Sequence, residues 1–202
     1  MKNLNEYAAS FYSQYGEDGI LYEIFRRIGA ANKIFVEFGC HNGDLSTGQF
    51  LLCCGWSGYW IEGNKKLFKI AKKKFKHEKR LKVKHSFLTI NNIESIFVKM
   101  NIPIHFDMLS IDVDGNDYWL WNSLKHYIPR TVIIEYNSHS EGEHVSPYLE
   151  SLNKYRYEET KESGTSLKSL EILGKKKGYA LIGSTQANLF FVLEEYKKLF
   201  LQ

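Results

Sequence analysis

Apolar residues along the chain fall into short runs, separated by stretches in which they recur every three to four positions, and the two patterns alternate from end to end. Helical spacing over 15–29 leads to the run KIFVEF at 33–38, helical spacing over 46–54, and the run GYWIE at 58–62. A lysine-rich helix follows, with Leu67, Phe68, Ile70, Ala71 and Phe75 as its apolar face, and then the run LKVKHSFL at 81–88. The second half continues with a helix over 91–100, DMLSIDV at 107–113, a helix over 117–126, TVIIEYN at 131–137, a polar loop including 138–146, and a helix over 165–177. It closes with YALIGST at 179–185 and NLFFVLEEY at 188–196. Such alternation predicts a parallel α/β sheet. The connection TQA is too short for a crossover helix, so the last two runs are expected to form an antiparallel hairpin. The predicted architecture is five parallel strands plus this C-terminal hairpin, with helices on both faces. A single domain over 1–202 is expected, with 1–30 as a helical lid across the carboxyl ends of the strands.

Composition supports one substantial core: 202 residues with 44% hydrophobic and 15% aromatic content. The N-terminus is polar, and the apolar runs are far shorter than the roughly 18 residues of a membrane span, so the chain reads as soluble, unexported and cytoplasmic. Cys40, Cys53 and Cys54 are odd in number, and the adjacent pair bridges only with strain, which agrees with reduced thiols. The formal charge is +4, with much of the excess between Lys65 and Lys84. That stretch is either a solvated helix face or a surface for phosphate-bearing partners.

Candidate chemistry begins at VEFGCHNGD, 36–44. A glycine turn between a strand and a helix lets backbone approach a ligand and aims helix N–H groups at it. A dinucleotide turn needs GxGxxG, whereas Gly39 and Gly43 are four apart and follow Glu37. This arrangement suits a ligand with an ammonium group and no pyrophosphate, such as S-adenosylmethionine. Glu37 would meet the amino group, while Gly39, Gly43 and Ser46 pass beside the methionine and ribose portions. Glu62, followed by Gly63 at the next strand end, is placed to accept hydrogen bonds from both ribose hydroxyls. Ser86, at the third strand end, would border the adenine. Gln14, in the N-terminal segment, would reach the cofactor's carboxylate or the acceptor, whereas Glu17 and Asp18 suit the start of a helix.

The fourth strand end is dense in acids: Asp112, Asp114, Asn116 and Asp117. Asp114-Gly115 suits a turn, and Asn116 or Asp117 suits a helix N-cap; Asp114, Asn116 and Asn137 are also candidates for holding the acceptor. Asp112 lies between Ile111 and Val113, and an acid at a buried strand end requires a partner. Glu135 and Asn137 would supply it if the fourth and fifth strands are neighbours. Two chemistries stay open. Asp112, Glu135 and Asn137 would hold a hard divalent ion such as Mg²⁺, or Asp112, Glu135 or His139 would act as a general base. His144 is as readily a solvated loop histidine.

The segments SQYGEDGIL, FVEFGCHNG, GWSGYWIEGN, LSIDVDGNDYWLW, VIIEYN, SLKSLEILGKKKGYALIG and NLFFV together resemble the FkbM-type family of S-adenosylmethionine-dependent methyltransferases. The similarity runs from about Ser13 to Val192. It implies the class I methyltransferase (Rossmann-like) fold and methyl transfer to a hydroxyl of a sugar, nucleotide-sugar, glycan or natural-product precursor. The chain departs from the pattern after VIIEYN, where SHSEGEHVSPY is short and polar, so the acceptor is the least constrained part. A nucleic-acid methyltransferase is the competing reading, motivated by the lysine helix but without an NPPY-type motif. A non-catalytic protein that binds the cofactor is another. Neither a membrane span nor a nucleic-acid partner is expected.

Overall fold

The computed structural model describes residues 4–150 and 164–201, and in them the alternating pattern becomes a seven-stranded mixed sheet. The strands are β1 (Ile34–Phe38), β2 (Ser57–Glu62), β3 (Leu81–His85), β4 (His105–Ile111), β5 (Ile128–Glu135), β6 (Tyr179–Ser184) and β7 (Asn188–Leu193). Helix α1 (Glu17–Ile28) precedes β1. Between strands lie α2 (Thr47–Cys53), α3 (Lys65–Lys74), α4 (Ile93–Met100), α5 (Asp117–Ser123) and α6 (Leu167–Lys176).

The spatial order is β3-β2-β1-β4-β5-β7-β6. Neighbours from β3 to β5 pair in parallel, and β7 is antiparallel to both β5 and β6. β7 therefore opposes the other six strands, and the hairpin joins the sheet through its second strand. The expected strand over 188–196 stops at Leu193, where the half-exposed or exposed EEYKK sequence closes a 3-10 helix, Glu194–Leu199.

Consecutive strand residues point to opposite faces, which divides the core in two. Phe35, Met108, Ile133 and Phe190 pack with Ile20, Leu21, Leu51 and Ala71 from α1, α2 and α3. Val36, Leu109, Val132 and Phe191 pack with Phe97, Leu120 and Leu170 from α4, α5 and α6. Central strands covered on both faces explain the unbroken apolar runs in the sequence. Local capping sets the helix starts: Asn64 accepts from Lys66 N at 2.9 Å ahead of α3, and Ser166 accepts from Ser169 N at 3.2 Å ahead of α6.

Helix α1 is part of this core, with Ile20, Leu21 and Ile24 fully buried. The stretch before it reaches the carboxyl end of the sheet. Glu17 accepts from Thr185 Oγ1 and Asn188 Nδ2, both at 3.0 Å, which ties it to the β6–β7 turn. Asp18 gathers the backbone N–H groups of Phe11, Tyr12 and Ser13 on one oxygen at 2.7–3.0 Å. At the opposite, amino end, buried Asp107 accepts from the N–H groups of Ala31, Asn32 and Lys33 and from Arg130, at 2.7–3.0 Å. No described helix is long and apolar enough to cross a membrane. The cysteines are all free; Cys40 is buried, and Cys53 and Cys54 are exposed.

Candidate active site

β1 delivers the chain into a turn that only glycine can make at two points. Gly39 has φ +71°, and a Cβ there would stand 1.6 Å from the carbonyl oxygen of Asp112. Gly43 has φ +83°, and its Cβ would fall 2.6 Å from the Phe75 ring. Protein contacts therefore account for both glycines: the turn is pressed against the end of β4 on one side and against α3 on the other. Glu37 faces the next helix. Its carboxylate accepts from Thr47 Oγ1 and Gly48 N at 3.2 Å and from Ser46 Oγ, so it anchors the first turn of α2, where the helix dipole favours an anion. Burial raises its pKa.

Glu62 closes β2 beneath this turn. One carboxylate oxygen accepts from His41 N at 2.8 Å and the other from Asn64 N at 2.7 Å. Burial raises its pKa, and only 6% of the residue is accessible. Gly63 lies against Phe87, and Ser86 N donates to Glu62 O at 3.0 Å, so the ends of β2 and β3 are held together at the side of the turn.

The register of β4 and β5 sets Ile111 opposite Ile134, which makes the next residues, Asp112 and Glu135, neighbours. Asp114 joins them from the following turn at φ +50°. One carboxylate oxygen from each of Asp112, Asp114 and Glu135 lies within 4.8 Å of the others. Asp112 and Asp114 are exposed at the carboxyl end of β4, and Glu135 is half-buried at that of β5. Desolvation, and then the surrounding carboxylates, raise the pKa of both Asp112 and Glu135. Each of the two therefore holds a proton more tightly than an ordinary carboxylic acid does.

The remaining predicted residues divide around this centre. Asp117 is buried and accepts from Val113 N and Gly115 N, both at 2.9 Å, so it shapes the acidic turn. Desolvation raises its pKa to about 6. Asn116, expected on the acceptor, uses its amide to pin the next loop: Nδ2 donates to Leu149 O at 2.8 Å, and Oδ1 accepts from Leu149 N at 2.9 Å. Asn137 Oδ1 accepts from His139 N at 2.9 Å, and Asp114 is the third carboxylate beside Asp112 and Glu135. His139 is exposed and lines a shallow depression with Ser140, Glu141, Glu143 and His144. Gln14 is exposed on the N-terminal segment. Sequence reasoning had placed Asp114 on the acceptor and missed its partnership with the acid pair; the Asp-Gly dipeptide, which favours the left-handed conformation that returns Asp114 toward β4, was the available signal.

With this geometry in hand, comparison with solved structures gives the fold. The chain is similar to the O-methyltransferase from Bacillus cereus in complex with SAH, with 14% identity, a TM-score of 0.56, and coverage of 91% of this chain and 84% of that one. It has the class I methyltransferase fold. It is likewise similar to the methyltransferase domain of bacterial CtHen1-C, at 16% identity, a TM-score of 0.54, and coverage of 95% and 99%. The N-terminal domain of EvdMO1, solved in the presence of SAH and D-fucose, matches at 12% identity, a TM-score of 0.54, and coverage of 95% and 82%. No protein-family model and no curated protein matches the sequence.

Proposed function

We propose that the chain is an S-adenosylmethionine-dependent O-methyltransferase of the FkbM type, acting on a hydroxyl of a sugar, nucleotide-sugar, glycan or natural-product precursor. The observation that carries this reading is the junction of the Gly39–Gly43 turn with Glu62, next to the β1–β4 switch point of a methyltransferase fold. Ligands in open α/β sheets bind outside the carboxyl ends of the strands at such a point. The donor set fits the cofactor. Each Glu62 oxygen holds one backbone N–H and keeps a lone pair, which matches a vicinal ribose diol. Ser86 and Gly63 flank the place for the adenine, and Gln14 remains available to the cofactor's carboxylate or the acceptor. Glu37 acts through the turn it anchors. When bound, the cofactor supplies an electrophilic methyl group on a sulfonium.

In this reading Asp112 and Glu135 receive the proton of the acceptor's hydroxyl. A carboxylate with a raised pKa is a stronger base than an ordinary one and is better matched to neutral pH. His139, exposed in the loop after β5, is the alternative base. Asp114 and Asn137 border the acceptor, while Asn116 and Asp117 hold the turn and loop that shape its site. The sugar assignment draws on the FkbM resemblance and on the neighbour solved with D-fucose. The three free thiols suit a reducing compartment such as the cytoplasm.

A second reading places a divalent ion among Asp112, Asp114 and Glu135, whose hard oxygen donors suit Mg²⁺. Calorimetry with S-adenosylhomocysteine tests the main reading. Binding is expected, and Glu62→Ala should weaken it by roughly 1.5–3 kcal/mol, the range for hydrogen bonds to a charged group. Absence of binding by the parent protein would refute the cofactor assignment, and an unchanged affinity in Glu62→Ala would refute the ribose placement.

A further inference from the structure

The cations of the lysine-rich stretch take no part in the site described above, and its charge is far from average. Residues 65–84 hold eleven of the chain's 27 lysines and arginines but one of its 23 acids, a formal +10 that leaves −6 for everything else. Each of the eleven cations is exposed. Among the described residues two of them meet a carboxylate: Lys74 pairs with Asp44, and Arg80 with Glu78. A solvated helix face on a chain of net charge +4 has no need to segregate charge this far, and self-repulsion makes the segregation costly.

The shape of the surface narrows its partner. α3 covers one face of the sheet, with Ala71 buried, and Leu81 and Val83 of edge strand β3 pack into the same layer. Lys82 and Lys84 alternate with them and point to the other face, where Lys82 Nζ lies 5.1 Å from the centre of the Tyr59 ring, a member of the opposite layer. The basic surface therefore wraps around the edge of the sheet as a convex ridge. A flat membrane would meet one side of such a ridge, whereas a linear polyanion can follow it across. The nearby rings are already occupied: Lys72 lies 5.5 Å over Phe68, Lys74 5.2 Å over Phe75, and His85 5.4 Å from Phe68. Single-stranded nucleic-acid sites combine charge with open aromatic faces for base stacking, and this ridge offers the charge without the open faces. Its near end is close to the proposed site, since Lys65 opens α3 three residues after Glu62.

We infer that the ridge of α3 and β3 is a docking track for an acidic glycan, a saccharide chain carrying repeated carboxylate or phosphate groups that also bears the acceptor hydroxyl. The inference rests on the proposed O-methyltransferase activity for the second of those roles. Docking through the charged repeats would raise the local concentration of acceptor hydroxyls at the carboxyl ends of the strands without requiring a deep acceptor pocket.

The test uses the full chain and three probes across a sodium chloride series: a fluorescein-labelled polygalacturonate oligomer, a homopolymeric RNA of equal charge, and phosphatidylglycerol vesicles. The oligouronate should bind with a steep salt dependence. The variant K65Q/K69Q/K72Q/K76Q should weaken it by about tenfold or more at low salt and flatten the salt slope, because released counterions scale with the cations engaged. A variant of equal charge change elsewhere, K168Q/K175Q/K176Q/K197Q, should leave the affinity within about twofold. Equal losses in the two variants, no binding of the oligouronate, or preference for RNA or vesicles would each overturn the assignment. S-adenosylhomocysteine affinity is measured on the same samples and should be unchanged in both variants. Its absence in the parent protein would refute the methyltransferase reading while leaving the docking result to stand or fall by itself.

Discussion

The two ends of β4 and β5 carry the same kind of residue and put it to opposite uses. At the amino end, Asp107 lies beside Arg130, with three backbone N–H groups and the guanidinium directed at its carboxylate. Arg130 in turn donates to Gly29 O at 2.7 Å and Ile28 O at 2.9 Å. Five residues further along each strand, Asp112 lies beside Glu135, with Asp114 as the nearest third group, and each of the three is an acid. The first pair is a completed anchor. In the second, Asp112 and Glu135 face each other, and burial and the neighbouring carboxylates push both of their pKa values up. One acid is fully buried and held by four donors, whereas exposed Asp112 faces other acids, and the proposed chemistry is assigned to that second site.

The sharpest way to break this comparison is at the anchor. Asp107→Ala should cost about 3–5 kcal/mol, because it removes a fully buried carboxylate that accepts from Arg130 and from three backbone N–H groups. Urea denaturation measures this, and a loss below about 1 kcal/mol would show that the amino end is not the anchor described. The same truncation at the other end should not behave this way. Asp112→Asn keeps the shape and removes a charge that is already unfavourable, so the fold should persist. Methyl transfer to a saccharide acceptor should instead fall by about 10²-fold or more, with S-adenosylhomocysteine affinity held within a few-fold. Loss of cofactor affinity in proportion to turnover would make Asp112 a cofactor residue. Activity abolished by EDTA and restored by Mg²⁺ would identify the acid cluster as a metal site, and full activity in EDTA would leave the general base.

The contrast also shows what the sequence could convey. Strand identity was readable because β1, β4, β5 and β7 are covered on both faces and therefore form unbroken apolar runs. The hairpin was readable from the length of TQA alone. The meeting of Asp112 and Glu135 was readable only on the condition that the fourth and fifth strands are neighbours, which the pairing of β4 with β5 meets. What a single sequence could not convey is where each polar group spends its hydrogen bonds. Asp107 lies in β4 and Asp112 just past its end, and nothing local distinguishes the acid that meets Arg130 from the acid that meets Glu135. Glu37 and Asn116 illustrate the same limit, since their partners, Ser46 and Leu149, come from separate loops. The ridge was visible as composition, but its wrapping around the sheet edge required knowing that β3 is the outermost strand.

The smallest effect is the one that measures the acid pair directly. The folded-state pKa of Glu135 is raised above its unfolded value of about 4.3 by desolvation and then by Asp112, so over the intervening range the folded chain binds more protons than the unfolded one. Stability must then fall as pH rises through that range, the reverse of a salt-bridged carboxylate. Glu135→Gln removes the titration and lets the amide donate to Asp112. The variant should therefore match the parent near pH 4–5 and exceed it at pH 8, by a few degrees in Tm at roughly 2–4 °C per kcal/mol for a chain of this size. Mg²⁺ added at pH 8 separates the two chemistries: a rise in the parent's Tm that is absent in Glu135→Gln favours a cation among the acids, and no rise in either favours the proton. A variant less stable than the parent at pH 8 but not at pH 5 would mean that Glu135 is ionised and favourably paired in the folded chain, and the acid pair would then be a second anchor, equivalent to Asp107 and Arg130.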